Sequence, residues 1–270
     1  MDCYIERVIT DREVATDIKE LIPDAGLRRR MSRVIKMAVT TAVETLGGVD
    51  KIDTLDAIIT ATGWGCLADS ERFLRNIIVD KEQLLNPTPF IQSTFNTVGG
   101  QIALLRHNHC YNVTYVNRSH SFEDALLDAF LRIADKESEN ILVGAFDEQT
   151  PSQHKIMERM GMFRTIADGE GAVFVKLRSN HNSTAVAKIT AIEFPSIILT
   201  EEECIKQYAT CNGETKLLYN KFEQYGLFPT SSAYCFAEAV ALIEKGEKEV
   251  IIYNEYFGAK PTILRIQCIG

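Results

Sequence analysis

Residues 86–147 of this chain read NPTPFIQSTFNTVGGQIALLRHNHCYNVTYVNRSHSFEDALLDAFLRIADKESENILVGAFD. A helix-like segment leads into a β-branched run at Asn112–Val116, which predicts a strand. A sharp polar corner follows at Asn117–Ser121, and after it come an amphipathic helical pattern and a second apolar run of strand length. The unit therefore predicts a strand, a polar corner, a helix and a second strand in succession.

The rest of the chain repeats this alternation of helices and apolar strands. Residues 28–46 have the periodicity of an amphipathic helix that ends at Gly47-Gly48, and Leu55–Thr62 is an apolar run typical of a buried strand. The pattern predicts an α/β layered fold in one unit, without a linker or a repeat. Further helices are predicted at Asp69–Asn76, Ser152–Met160, Glu201–Tyr208, Thr215–Gln224 and Thr230–Lys245, and further strands at Gly169–Lys176, Ala185–Phe194, Val250–Tyr253 and Thr262–Gln267.

Composition limits the classes of function. The chain has 270 residues, 46% of them hydrophobic, and a formal net charge of −8. That charge gives no general attraction for nucleic acid or for an anionic membrane. No apolar run reaches the roughly 18 residues of a membrane span, and the N-terminus has no apolar signal segment. We expect no nucleic-acid partner, no membrane span and a cytoplasmic location.

The seven cysteines are scattered and form no CxxC pair. This spacing predicts reduced thiols packed as small hydrophobic side chains, with no disulfide framework and no metal site. Gly63-Trp64-Gly65 and Gly169-Glu170-Gly171 lack the spacing of phosphate-binding loops. We therefore expect no cofactor.

Four motifs occur in an order that resembles the β-ketoacyl synthases of the thiolase-like fold. They are the helix Asn96–Ala103 (NTVGGQIA), the strand, corner and helix of Asn112–Asp128, the strand Ile141–Glu148 (ILVGAFDE) and the strand Asp168–Leu177 (DGEGAVFVKL). Residues 232–243 and 254–266 resemble the family's terminal helix, loop and strand. The resemblance implies a layered α/β/α/β/α fold in a single domain, 1–270, with an N-terminal half at 28–194 and a shortened C-terminal half at 195–270.

The resemblance also places residues at the family's catalytic positions. Ser119 stands where the family has its nucleophilic cysteine, and Pro229 stands where it has one of two histidines. All five histidines precede residue 182, so the second histidine motif has no counterpart. A condensing enzyme needs a thiolate to carry the acyl chain and donors to stabilise the enolate. The sequence therefore predicts that the family's condensing chemistry is missing.

Ser119 also has a structural interpretation. Ser119 or Ser121 is suited to cap the helix that follows, and Ser121 with Asp124 resembles a capping box. His120 is adjacent to Ser119, but consecutive side chains at a helix start diverge. His107 and His109, in the preceding loop, come near the corner only if the fold brings them there. Both the cap and the nucleophile remain open at this point.

Among ketosynthase relatives, the chain-length factors keep the fold but lack the cysteine. The resemblance implies a non-catalytic subunit of a bacterial type II fatty acid or polyketide system, paired with an active ketosynthase and meeting acyl carrier protein indirectly. Two alternatives are an acyltransferase, 3-oxoacyl synthase or esterase that uses Ser119 in a rearranged site, and a homodimeric scaffold without enzyme activity. The residues implied to face the partner's acyl tunnel are Phe90, Thr94, Phe95 and Val98, and those implied to form the dimer strand are Asn112, Val113, Thr114, Tyr115 and Val116.

Overall fold

A computed structural model describes residues 3–211, 214–220, 222–256 and 259–269. These residues contain nine strands, all in one sheet with the order β3-β2-β4-β5-β1-β6-β9-β8-β7. The strands are β1 Cys3–Thr10, β2 Ala57–Ala61, β3 Tyr111–Tyr115, β4 Asn140–Asp147, β5 Gly171–Arg178, β6 Ala187–Glu193, β7 Thr215–Tyr219, β8 Glu249–Asn254 and β9 Thr262–Gln267.

The sheet is built from two halves with matching topology. In the first half β2 is parallel to β4, β4 is antiparallel to β5, and β5 is antiparallel to β1. In the second half β7 is parallel to β8, β8 is antiparallel to β9, and β9 is antiparallel to β6. The halves join through a short antiparallel contact of Cys3–Ile5 with Ala187–Ile189. The described part of the second half has no counterpart of β3.

Helices cover both faces of each half-sheet. The α-helices are α1 Ile18–Leu21, α2 Ala25–Arg30, α3 Arg33–Leu46, α4 Leu67–Val79, α5 Pro87–Gln92, α6 Thr97–Leu104, α7 Ser121–Ala134, α8 Pro151–Arg159, α9 Glu201–Tyr208, α10 Phe222–Tyr225 and α11 Ser232–Glu244. Helices α7 and α11 lie between the half-sheets, where the rings of Phe122 and Phe236 meet edge to face at 5.6 Å. Helices α3 and α6 cover the outside of the first half, and α9 covers the outside of the second. The order of layers is therefore α/β/α/β/α.

This architecture confirms the predicted fold class. Helix α9 and strand β9 have the predicted bounds, and Gly47 ends α3 in the left-handed conformation, with φ 80°. The prediction of a helix at Thr215–Gln224 is wrong, because residues 215–219 form β7, paired in parallel with β8. Residues 28–46 are two helices, broken at Met31 and Ser32, rather than one.

The N-terminal segment contributes a central strand that the family motifs did not anticipate. Strand β1 lies between β5 and β6 and joins the two halves of the sheet. Its buried residues Cys3 and Ile5 alternate with partly exposed ones, which is the sequence signal of a strand. In the part of the chain that the structure describes, no helix is long and apolar enough to cross a membrane.

Candidate functional site at the corner between β3 and α7

The chain turns sharply between β3 and α7 at the position predicted for the family nucleophile. Residues Arg118–His120 form a single 3-10 turn, and Ser119 in its centre is 3% exposed. Arg118 has φ 52°, in the left-handed region that non-glycine residues seldom adopt. Such backbone strain is concentrated at functional sites and at tight turns. The corner is therefore a constrained turn with a buried central residue, at the start of a helix of the central layer.

Neither corner serine caps α7. The N-cap is His120, and its side chain makes no capping hydrogen bond. The Ser121 hydroxyl lies 2.9 Å from the carbonyl oxygen of Thr62 and accepts a hydrogen bond from the Asn117 amide at 2.8 Å. Ser121 therefore fastens the corner to the end of β2. The predicted cap and capping box are wrong, because Asp124 accepts from Asn117 Nδ2 instead of from the helix start.

The histidines do not supply a base for Ser119. His120 Nε2 lies 2.7 Å from the carbonyl oxygen of Lys260, and its ring meets Phe194 edge to face. His107 and His109 precede β3, whereas Ser119 follows it, so the strand separates them. Among the described residues, no side chain is hydrogen-bonded to the Ser119 hydroxyl. The corner therefore holds a hydroxyl without a general base.

Pro229 lies directly against the corner. A Cβ added at Gly63 would lie 2.3 Å from Pro229 Cβ and 3.2 Å from the carbonyl oxygen of Arg118. The Pro229 ring is buried and apolar, so it offers no proton and no hydrogen-bond donor at this place. Its close packing needs a glycine at residue 63, because any side chain there would collide with the ring.

Asp147 accepts hydrogen bonds from two segments that meet at this corner. One carboxylate oxygen accepts hydrogen bonds from the Thr62 hydroxyl at 2.8 Å and from the amides of Gly63 and Trp64. The other oxygen accepts from the amide and hydroxyl of Thr230, at 3.1 and 2.8 Å. Burial raises the pKa of Asp147, although the bonds from Thr62 and Thr230 act in the opposite direction. Asp147 thereby fixes the loop after β2 against the segment that carries Pro229.

A second buried carboxyl group lies under the corner. Asn254, at the end of β8, donates through Nδ2 to Glu123 Oε1 at 2.9 Å and to the carbonyl oxygen of Ser119 at 3.3 Å. Burial raises the pKa of Glu123, although the Ser232 hydroxyl and Asn254 act in the opposite direction. Asn220, after β7, donates to Asn254 Oδ1 at 2.8 Å and so extends the network into the second half-sheet. Polar side chains of both halves thus hold the underside of the Ser119 turn.

The residues predicted to face the partner's tunnel differ in exposure. Phe90 is 54% exposed and Phe95 is 47% exposed, whereas Val98 is fully buried in the outer core beside α3. The Thr94 hydroxyl lies 2.8 Å from that of Thr97. The Phe95 ring covers Gly65, since a Cβ there would lie 2.6 Å from the ring. Phe90 and Phe95 are therefore surface aromatics of this chain.

The predicted dimer strand is an edge strand. Strand β3 pairs in parallel with β2 through Ala57↔Tyr111 to Ala61↔Tyr115, and no other described strand adjoins it. Val116, predicted as the last strand residue, follows β3 directly and is 42% exposed. The edge thus presents unpaired backbone groups beside exposed apolar side chains.

His154 lies apart from the corner, in a cavity between α8 and the start of β5. Its Nδ1 is 2.8 Å from Asp168 Oδ2, and its ring stacks on Phe163 at 5.0 Å. Within the described residues no group of three or more histidine, cysteine, aspartate or glutamate side chains is arranged to hold a metal ion.

Three residues that support the corner through buried hydrogen bonds were not identified from the sequence. Asp147, Glu123 and Asn254 lie in or beside the quoted motifs but were given no role. Asp147 is recognisable as an acid that directly ends an apolar strand, and Asn254 as the polar residue after another. The contact between Thr230 and Asp147 spans 83 residues, so no local pattern signals it.

The model of the β-ketoacyl synthase N-terminal domain matches residues 9–188, which is two-thirds of the 270-residue chain. The chain belongs to the β-ketoacyl synthase family. A search of curated proteins gave no match.

Solved structures of β-ketoacyl synthases and their relatives have the same fold. The ishigamide ketosynthase/chain length factor superposes with a TM-score of 0.79 at 13% identity over the whole of both chains. A β-ketoacyl synthase from Burkholderia phymatum STM815 gives a TM-score of 0.75 at 12% identity, again over the whole of both chains. A structure of AntDE:AntF, a type II polyketide acyl-carrier protein with its ketosynthase bound to the hexaketide, gives 0.75 at 14% identity over 99% of each chain. At these identities the likeness establishes the thiolase-like fold.

Proposed function

We propose that this β-ketoacyl synthase-like chain is a non-catalytic subunit of a bacterial type II fatty acid or polyketide system, resembling a chain-length factor. It pairs with an active ketosynthase, shapes the tunnel for the growing acyl chain and meets acyl carrier protein only through that complex. The proposal treats residues 1–270 as a single cytoplasmic domain with halves at 28–194 and 195–270. The observation that carries it is the Ser119 hydroxyl, which has no hydrogen-bonded histidine in the described part of the chain.

The chemistry at the corner supports a silent role. A cysteine at a helix start ionises near neutral pH, because its pKa begins near 8.5 and falls in that environment. A serine hydroxyl requires an adjacent base to become a nucleophile. Here His120 is held by the carbonyl oxygen of Lys260, and Pro229 occupies a position where the family has an imidazole. A donor pair for an enolate oxygen is therefore missing along with the thiolate.

The surface around β3 supports pairing with another subunit. Unpaired strand edges associate readily with other chains, and exposed apolar side chains increase that tendency. The segment from Gln83 to Phe122, which contains this edge, has no aspartate or glutamate, although the whole chain has 37 acidic residues. Its exposed large hydrophobic side chains are Leu84, Phe90, Ile91, Phe95, Leu104, Tyr111 and Val116. Permanent interfaces are large and more hydrophobic than the rest of the surface, and an apolar segment without acidic side chains suits one.

The tunnel role is proposed for Phe90, Thr94, Phe95 and Val98. Phe90 and Phe95 are exposed and belong to the acid-free segment that also contains β3, so we expect a subunit docked at the β3 edge to meet them. Bulky aromatic side chains limit the length of an acyl chain by volume exclusion. Val98 is buried in the outer core beside α3 and supports the segment from inside.

Co-expression with a ketosynthase encoded beside this chain tests the proposal. We expect the two subunits to co-purify and to elute as one peak in size-exclusion chromatography. The Tyr115 carbonyl oxygen accepts from the Thr62 amide, so the backbone of Tyr115 faces β2 and the amide of the next residue, Val116, faces the open edge. The variant Val116→Pro removes that donor and should separate the peaks, whereas Leu217→Pro, on the open side of β7 at the opposite edge of the sheet, should leave the complex intact. Separate elution of the wild-type subunits would count against the proposal.

The second candidate function is an acyltransferase, 3-oxoacyl synthase or esterase that uses Ser119 in a rearranged site. The free Ser119 hydroxyl on a constrained turn favours it. Incubation with an acyl thioester, followed by peptide mass spectrometry, distinguishes the two candidates, because this enzyme would carry an acyl group on Ser119. The third candidate function is a homodimeric scaffold without enzyme activity. The Phe95 ring, which fills the space over Gly65, favours it.

A further inference from the structure

Two buried carboxyl groups meet where helix α4 begins beside the end of β4. The Ala68 amide, in the first turn of α4, donates to Glu148 Oε1 at 2.9 Å, so the helix start holds this carboxylate. Asp69 follows Ala68 directly and, like Glu148, is fully buried. Burial raises the pKa of Glu148, and the negative charge of Asp69 adds to that rise, so the two groups lie within electrostatic reach of each other. We call Asp69 and Glu148 the buried acid pair.

The Asp69 carboxylate has no counter-ion of its own. Neither of its oxygens is hydrogen-bonded to any residue that the structure describes. Arg72, the cation one turn further along α4, is exposed and does not bond to either oxygen. A carboxylate in this state is costly, because burial removes its water without supplying a partner. Such a group in a native fold calls for a proton, a water molecule or an ion beside it.

The cation beside Glu148 is shared with another acid. Arg33 Nη2 lies 3.4 Å from Glu148 Oε2, but the same nitrogen donates to Glu170 Oε2 at 2.6 Å, and Arg33 Nη1 donates to Glu170 Oε1. The bidentate pair of Arg33 with Glu170 is therefore the stronger of the two contacts. The three carboxylates of Asp69, Glu148 and Glu170 share one guanidinium, so three negative charges less one positive charge leave two.

Gln149 adds an uncharged oxygen to the same network. Its backbone oxygen accepts from Arg33 Nη2 at 3.3 Å, and its backbone amide donates to Glu170 Oε2 at 2.9 Å. Its side-chain oxygen and nitrogen are both buried, and neither has a hydrogen-bond partner in the described parts of the chain. An open cavity of about 560 Å³ is lined by Arg33, Gln149 and Glu170. The network therefore offers oxygen ligands and a route by which an ion can enter.

A hard cation satisfies these groups together, whereas a proton shared by the acid pair engages only one oxygen of Asp69 and leaves Gln149 without a partner. Carboxylate and amide oxygens are the ligands that Mg²⁺ and Ca²⁺ prefer, and a divalent ion matches the two negative charges. We infer that the start of α4 binds a divalent cation between Asp69 and Glu148, with Gln149 Oε1 as a neutral ligand. Affinity rises with the number of charged ligands, so two carboxylates predict a Kd on the order of 0.1–1 mM.

The inference does not depend on the proposed function, and the purified chain suffices to test it. Tb³⁺, a luminescent substitute for Ca²⁺, is the first probe. Trp64 is the only tryptophan of the chain and lies five residues before Asp69, so the backbone keeps these two residues within about 17 Å of each other. Excitation of Trp64 should therefore sensitise the emission of bound Tb³⁺. We expect this emission to saturate at one ion per chain and to disappear when excess Ca²⁺ displaces Tb³⁺.

Matched variants assign the signal to the buried acid pair. Asp69→Asn keeps the shape of the side chain and removes its charge, so we expect at least about a tenfold loss of sensitised emission. Glu148→Gln should lose the emission as well, and circular dichroism verifies that each variant is folded. Asp80→Asn removes the same charge from the exposed end of α4 and should leave the emission unchanged.

Thermal unfolding supplies a second measurement. Mg²⁺ or Ca²⁺ at about 10 mM should raise the melting temperature of the wild type by about 3–8 °C, because the cation binds the folded chain alone. The melting temperature of Asp69→Asn should rise by less than about 1 °C. In EDTA, Asp69→Asn should melt no lower than the wild type, because the variant lacks the unpaired buried charge.

Three results would overturn the inference. Tb³⁺ emission as strong in Asp69→Asn as in the wild type would indicate an adventitious ion only. A melting temperature that rises as much with KCl of the same ionic strength as with Ca²⁺ would indicate screening rather than a bound divalent ion. A wild type that responds to neither Mg²⁺ nor Ca²⁺, together with a lower melting temperature of Asp69→Asn in EDTA, would assign the acid pair to a shared proton.

Discussion

Asp147 and Thr230 are joined by two hydrogen bonds, from the Thr230 amide at 3.1 Å and from its hydroxyl at 2.8 Å, both to Oδ2. Asp147 ends β4 in the first half of the sheet, whereas Thr230 precedes α11 in the second. The contact therefore fixes the two halves of the fold against each other beneath the Ser119 corner. The other carboxylate oxygen of Asp147, Oδ1, accepts hydrogen bonds from the loop after β2. One carboxyl group therefore fixes three segments: the end of β4, the loop after β2 and the segment before α11.

The first prediction concerns this carboxyl group. Both carboxylate oxygens of Asp147 accept hydrogen bonds. Asp147→Asn replaces one of them with an NH2 group, which cannot accept, so at least one buried donor loses its acceptor. We expect the free energy of unfolding to fall by about 2–4 kcal/mol, as measured by urea denaturation. Asp135→Asn, at the exposed end of α7, is the matched control and should change it by less than about 0.5 kcal/mol. An equal effect of both substitutions would contradict the role given to Asp147.

The second prediction concerns the contact of Gly63 with Pro229. Gly63→Ala inserts a methyl group 2.3 Å from Pro229 Cβ, which the packing cannot accommodate without a shift. We expect a loss of about 1–3 kcal/mol in the free energy of unfolding. Pro229→Gly in the same chain should recover part of that loss, because it removes the colliding ring. Gly100→Ala, where a Cβ would meet nothing within 4 Å, should be neutral or stabilising.

The third prediction is a pH dependence set by Glu249. Burial acts to raise its pKa, but hydrogen bonds from Thr210, Thr215 and Gln267 outweigh burial and lower the pKa from 4.5 to about 2. Because the folded pKa is depressed, the contribution of Glu249 to stability is present above about pH 4.5 and is lost as the pH falls towards 2.

Its size is at most about 3 kcal/mol. The stability difference between wild type and Glu249→Gln should therefore be largest near neutral pH and shrink on acidification, in chemical denaturation at a series of pH values. Glu202→Gln on the exposed side of α9 is the control. A difference that stays constant with pH would show that the depressed pKa is not what stabilises the folded chain.

The fourth prediction concerns the acyl tunnel. In a complex with an active ketosynthase, Phe95→Ala should shift the products to longer acyl chains, because it removes a bulky ring from the face proposed to meet the partner. Ile156→Ala, which truncates an exposed apolar side chain on α8, should leave the products unchanged. Mass spectrometry of the acyl products measures both. Identical product lengths in the wild type and Phe95→Ala would remove Phe95 from the tunnel.

Local patterns predicted the layers well, because they depend on residues close in sequence. The apolar run of β2 and the periodicity of α7 are strong signals of that kind. The helix prediction is wrong at residues 215–219, because their pairing with β8 outweighs the helical pattern of the local sequence. His154 and its partner Asp168 lie 14 positions apart, so no local pattern signals their contact. The corner network likewise joins residues from distant segments, so only the fold reveals it.

Acyl transfer to Ser119 is the reaction that distinguishes a silent subunit from an enzyme. The purified chain, alone and in complex with a ketosynthase, is incubated with an acyl thioester and analysed by intact-mass and peptide mass spectrometry. We expect the ketosynthase to become acylated while Ser119 stays unmodified. An acyl group on Ser119 that disappears in Ser119→Ala would contradict it.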